Sequence, residues 1–136
     1  MKRILSTSYT DGLFNLATFC IRLVLGLMIC LQHGIPKLSN FSELQHSFYD
    51  PFHIGHRFSL ILNILAEVFA SMLLVLGLFS RIAALVLCIN MAVAIFLFHR
   101  GQEVKSYELA TIYFTGFLAI LLIGPGKISV DAMSGK

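Results

Sequence analysis

FSLILNILAEVFASMLLVLGLF, residues 58–79, is the stretch on which the fold turns. Its length meets the roughly 20 residues that a helix needs to cross a hydrocarbon core about 30 Å thick. Asn63, Glu67 and Ser71 recur within it at every fourth position, so one narrow stripe of an otherwise apolar helix is polar. A charge at mid-bilayer costs about 2.5–3.5 kcal/mol on insertion scales. Glu67 therefore faces protein rather than lipid, and other spans must surround it.

Three further runs of similar length, residues 13–33, 81–99 and 106–124, supply those neighbours. Hydrophobic residues make up 57% of the 136 and charged ones only 12%, with a mean hydropathy of +0.85, which lies outside globular usage. The chain reads as one all-α domain over residues 1–136, a polytopic membrane protein built as an antiparallel four-helix transmembrane bundle. The segments between spans are too short for a soluble catalytic domain. A net charge of +3 without a basic run gives no reason to expect nucleic acid as a partner. Lys2 and Arg3 precede the first run in the manner of a signal peptide, but its full spanning length, Arg22 inside it and the lack of a small-residue cleavage site argue that it is retained. Cys20, Cys30 and Cys88 lie inside spans without a C-x-x-C and read as packing residues.

Turn chemistry sets the spans apart. Gly34 and Pro36 predict that the first helix ends near His33. The loop over residues 38–57 mixes Phe41, Phe48, Tyr49 and Phe52 with His46, His53 and His56, a composition suited to the headgroup region, where a short interfacial segment fits. Gly77 to Arg81 makes a tight hairpin, and Gly124-Pro125-Gly126 stops the last span, after which residues 127–131 are expected to run into the aqueous boundary. Four spans put both termini on one side. Lys2, Arg3, Arg81, Lys127 and Lys136 lie on that side against Lys37, Arg57, Arg100 and Lys105 opposite, which favours cytoplasmic termini.

Helical geometry groups the polar residues. Arg22, Gly26 and His33 share one face of the first span. Arg22 and Glu67 fall near the middle of neighbouring antiparallel spans, so they are expected to pair as the floor of a polar pocket open toward the loop side. His33, Lys37, Asn63, His99 and Glu108 lie toward that open end. In the fourth span Glu108, Thr111 and Thr115 form a stripe beside Tyr107, whereas Asn90 and His99 of the third fall on nearly opposite faces. A bis-histidine haem through His33 and His99 is disfavoured because both sit at span boundaries. No metal site is expected from His46, His53 and His56, which lack a defined scaffold. Gly26, Gly77 and Gly116 read as places of close helix contact.

In order along the chain, RLVLG (22–26), HGIPKL (33–38), Glu67, GLFSR (77–81), AIFLFH (94–99) and GPGKISVD (124–131) resemble the DoxX/DoxD-like family of small four-helix membrane proteins. The resemblance covers nearly all of the chain from Arg22 onward. It implies the same bundle in a bacterial cytoplasmic membrane and marks Arg22, His33, Lys37, Glu67, Arg81 and His99 as the positions that match the family's polar pattern. It also implies membrane redox chemistry linked to quinone, with this chain as a subunit or partner of other proteins. The residues themselves fix no cofactor; quinone is the one the resemblance suggests, and Arg22, His33, Lys37 and Glu67 would provide donors and a proton route. Two other readings stay open from the residues alone: a small transporter or permeability factor working as a homo-oligomer, and a non-catalytic scaffold in the bilayer.

Overall fold

The computed structural model describes residues 4–135. Lys2, Arg3 and Lys136, which weigh in the count of basic residues, lie outside them. Among the described residues six helices follow in order: α1 (Asp11–Ser39), α2 (Phe41–Leu44), α3 (His56–Leu76), α4 (Ser80–Phe98), α5 (Val104–Ile123) and α6 (Val130–Met133). α1, α3, α4 and α5 are each long and apolar enough to span a membrane, and the described residues contain no strand. The protein is an all-α, multi-pass membrane bundle.

Local chemistry explains the boundaries. Thr10 caps α1 by accepting the Leu13 N–H, with Asp11 in the first turn, where a negative charge meets the positive end of the helix dipole. α3 stops at Gly77, whose φ of 74° is open to glycine and costly for most other residues. Phe79 also takes a left-handed conformation, so the α3–α4 hairpin closes over three residues.

The first span does not end near His33. α1 continues through Gly34 and Pro36 to Ser39, because residues Cys30–Gly34 form a wider π turn in which the Ile35 N–H reaches back to the Cys30 carbonyl. A π turn displaces the carbonyl that a proline ring would otherwise strike, so Pro36 passes within a continuing helix. Twenty-nine residues span about 43 Å at helical rise, more than the hydrocarbon thickness, so α1 tilts or projects from the bilayer.

Small residues set how α1 meets α3. A Cβ on Gly34 would come within 2.9 Å of the Glu67 carbonyl carbon and oxygen, and one on Gly26 within 3.2 Å of the Ser71 carbonyl oxygen. Only glycine permits this approach. On the other side, Gly116 of α5 receives Leu25 of α1. α4 packs most extensively on α5, and the core gathers Ile29, Leu74, Leu87, Met91, Phe117 and Ile120. Even the most enclosed span is only 39% buried within the protein, and Phe69, Ile82, Ile112 and Leu122 point outward. Lipid supplies the missing apolar contact.

This register overturns the expected Arg22–Glu67 pair. Gly34, not Arg22, lies opposite Glu67, and Arg22 lies opposite Leu74 and Gly77. The twelve residues between Arg22 and Gly34 correspond to about 18 Å of helical rise. The equal-depth argument fails because α1 runs on to Ser39, which shifts its midpoint toward the loop side.

Nor do residues 127–131 run into water. They fold back across the terminal side of the bundle, where Ser129 and Asp131 are buried. The Asp131 carboxylate accepts the Phe79 and Ser80 N–H groups and the Ser80 hydroxyl, each at 2.8 Å, and so caps the start of α4. The Asp131 N–H donates to the Gly77 carbonyl, and the Lys127 N–H to Asn15 Oδ1.

Candidate functional site

Lys37 stands one turn beyond Gly34, and its long side chain reaches back into the bundle. Its ammonium donates to Glu67 Oε2 at 2.6 Å and to Asn63 Oδ1 at 2.7 Å. Asn63 Nδ2 donates to Asn90 Oδ1 at 2.8 Å, and Asn90 Nδ2 returns to Glu67 Oε1 at 3.2 Å. Four side chains from α1, α3 and α4 thus close a ring in which both carboxylate oxygens are satisfied. The Glu67 side chain is 4% exposed and that of Lys37 25%, so the carboxylate is sealed while the ammonium keeps an opening toward the loop side. Leaving either charge alone there would cost several kcal/mol, about 3–5 by analogy with other buried pairs.

The backbone is adapted to this ring. Two π turns flank it, Cys30–Gly34 in α1 and Leu65–Ala70 in α3, and Glu67 lies inside the second. Turns of this kind interrupt helices frequently at functional sites, since the extra residue re-aims the side chains around it. The Ser71 hydroxyl returns to the backbone of the same stretch, reaching the Glu67 carbonyl at 2.6 Å and the Val68 carbonyl at 2.8 Å.

Aromatic rings border the polar group. The His33 ring meets Tyr113 edge-on at 5.9 Å, Tyr113 stacks on Phe117 at 5.9 Å, and Tyr113 lies within electrostatic reach of Glu67. On the loop side the Phe48 ring sits 5.9 Å from the Lys37 ammonium.

Of the residues singled out in the sequence, Lys37, Asn63 and Glu67 meet directly, with His33 nearby. Arg22 belongs to a separate centre at the terminal side. It is fully buried and donates through Nη1 to the Leu74 carbonyl at 3.1 Å and through Nη2 to that of Ile128, with Asp131 as its electrostatic partner. His99 bonds the Ala94 carbonyl and packs on Phe98, and it is not a member of the ring. Glu108, Thr111 and Thr115 are exposed on α5, and the two threonines bond backbone carbonyls of their own helix, so the expected stripe faces away from the centre. Tyr113 is what α5 turns inward. Asn90 was legible as the one amide of its span, whereas Tyr113 and Phe48 carry no such mark.

The expected open pocket is instead filled by hydrogen-bonded side chains. The two cavities described lie at the terminal side: one of about 210 Å³ between Phe79, Arg81, Pro125 and Asp131, and one of about 320 Å³ between Tyr9, Asn15 and Lys127.

Comparison with known proteins agrees with this architecture. A protein-family model described as DoxX matches residues 17–100, a stretch that contains Arg22 and all four members of the ring. An uncharacterised protein of Haemophilus influenzae is 30% identical over 118 residues, covering 82% of this chain and 85% of the relative. No solved structure matches the chain. With the family model spanning more than half of its length and four membrane helices in place, the chain belongs to the DoxX family.

Proposed function

We propose that this protein binds quinone at the Lys37–Glu67 ring and works in the bacterial cytoplasmic membrane, termini inside, beside a redox partner that exchanges electrons with the quinone. The observation that supports this reading is the closed ring of one lysine, one carboxylate and two amides within an apolar bundle. A quinone headgroup is a flat apolar ring with an acceptor oxygen at each end, which calls for an apolar seat and a few placed donors. The Lys37 ammonium has three protons and commits two of them, to Glu67 and Asn63, which leaves one for a carbonyl. His33, beside Tyr113, offers a second N–H.

Reduction of a quinone to a quinol takes two electrons and two protons. In this reading the electrons come from the partner protein. Lys37 delivers one proton at the carbonyl it binds and His33 passes the second to the other carbonyl, while Glu67 holds the lysine in place. The partly exposed amine then regains its proton from the loop side. Asn90 holds the carboxylate and is itself held by Asn63, so that the geometry survives the change of charge.

Purification in a mild detergent followed by solvent extraction tests the reading. Quinone is expected in the extract of the wild-type protein and is expected to fall away in Lys37→Met. A wild-type protein that carries none and takes up none when a short-chain quinone is added would overturn it.

A further inference from the structure

The loop between α2 and α3 crosses the opening of the ring and is held there from three sides. The Phe48 ring lies over the Lys37 ammonium of α1 at 5.9 Å. The Phe48 carbonyl accepts from His56 Nδ1 at 2.6 Å and the Tyr49 carbonyl from Ser59 Oγ at 2.9 Å, both on α3. The Tyr49 ring meets Phe98 of α4 edge-on at 5.2 Å. One dipeptide is therefore tethered to the same three helices that build the ring.

The chain that follows is a compact turn. The Asp50 carboxylate accepts the Ile54 and Gly55 N–H groups at 3.1 and 2.8 Å, and both His53, at φ 54°, and Gly55, at φ 106°, lie in the left-handed half of conformational space. A non-glycine residue in that region is uncommon, although histidine adopts it more readily than most. The tethers on Phe48 and Tyr49 are each weak interactions at an exposed surface, of a kind that opens locally without unfolding the core.

We propose that Phe48 and Tyr49 form a lid over the Lys37–Glu67 ring, closed as seen here, whose opening widens the access of water from the loop side to the partly exposed Lys37 ammonium. The lid's purpose rests on the ring being the working site, but its existence can be tested without any quinone. With the lid shut, contact between the ring and bulk water is narrowed to the partly exposed Lys37 ammonium; with the lid open, that contact widens and Lys37 regains its proton.

The test uses the intact protein in mild detergent and a sulfonated, amine-selective ester, with modification of each lysine followed by mass spectrometry. Lys105, exposed at the start of α5, is the internal reference. Lys37 is expected to react about tenfold more slowly than Lys105 in the wild type, and Phe48→Ala to raise its rate by about tenfold. Phe48→Tyr keeps the ring and should keep Lys37 slow. Protection by the ion pair alone would leave wild type and Phe48→Ala equal, and that result would overturn the lid. So would a wild-type Lys37 as reactive as Lys105. Should Phe48→Ala fail to fold, Ser59→Ala, which cuts only the tether at Tyr49, must raise the Lys37 rate, and an unchanged rate overturns the proposal. A failed lid leaves quinone extraction untouched, so the two readings fall separately.

Discussion

Replacing Arg22 with methionine should loosen the clasp between the C-terminal segment and the bundle without disturbing the Lys37–Glu67 ring. The guanidinium is fully buried and holds two backbone carbonyls, those of Leu74 and Ile128, which lie far apart in sequence. Hydrogen bonds from a charged donor contribute about 1.5–3 kcal/mol each, so two amount to about 3–6 kcal/mol. Against this, Arg22 Nε is buried without a partner, a cost of about 1–3 kcal/mol that methionine removes. The expected net loss is about 2–3 kcal/mol. Arg22→Lys should recover little of it, since a single ammonium lacks the fork that bridges two separated carbonyls. Denaturant titration in mixed micelles measures the loss, and a cycle with a variant ending at Gly126 tests its cause. Removal of residues 127–136 takes away the Ile128 carbonyl and Asp131 together, so the two changes should be non-additive by at least about 1 kcal/mol. Full additivity, or an Arg22→Met protein as stable as the wild type, would refute the clasp.

Gly34→Ala should destabilise by about 1–3 kcal/mol, because its methyl group meets the Glu67 backbone, whereas Gly12→Ala, with open space around it, should be neutral or mildly stabilising on the same denaturant titration. The turn at Asp50 should loosen in acid. Partial desolvation pushes that carboxylate up, but the Gly55 and Ile54 N–H groups, with His56 and His53, outweigh it and hold Asp50 below the usual carboxylate range. A depressed value means that the turn is fully supported above the unfolded-state pKa and loses that support as pH falls through the folded one, so the Gly55 amide resonance should shift only in that acid window and not at all in Asp50→Asn. In whole cells a cysteine at Ser42, in a cysteine-free background, should react with a membrane-impermeant thiol reagent while one at Ser134 stays silent; the opposite pattern would place the termini outside.

The four spans were legible because lipid imposes a coarse rule that composition alone reveals. Their polar stripe on α3 was legible too, since Asn63, Glu67 and Ser71 follow the helical repeat. What the sequence hid was register. Gly34 and Pro36 look like a helix stop, and only the π turn at Cys30–Gly34 converts them into a contact surface. That single difference moved the partner of Glu67 from Arg22 to Lys37. The role of Asp131 was equally hidden, because the cap it provides for α4 links residues about fifty positions apart. Local pattern names the polar residues of a bundle, whereas the helix lengths decide which of them meet.

The most direct test of the Lys37–Glu67 ring as a quinone site is the stabilisation that a short-chain quinone confers on the purified protein, compared between wild type and the double variant Lys37→Met, Glu67→Leu. Removing both charges leaves no buried ion alone, so the double variant should still fold. At a quinone concentration a hundredfold above Kd, the wild type should gain about 2.7 kcal/mol and unfold at a correspondingly higher temperature. The double variant should show no shift. An equal shift in both proteins, or none in the wild type, would contradict the site.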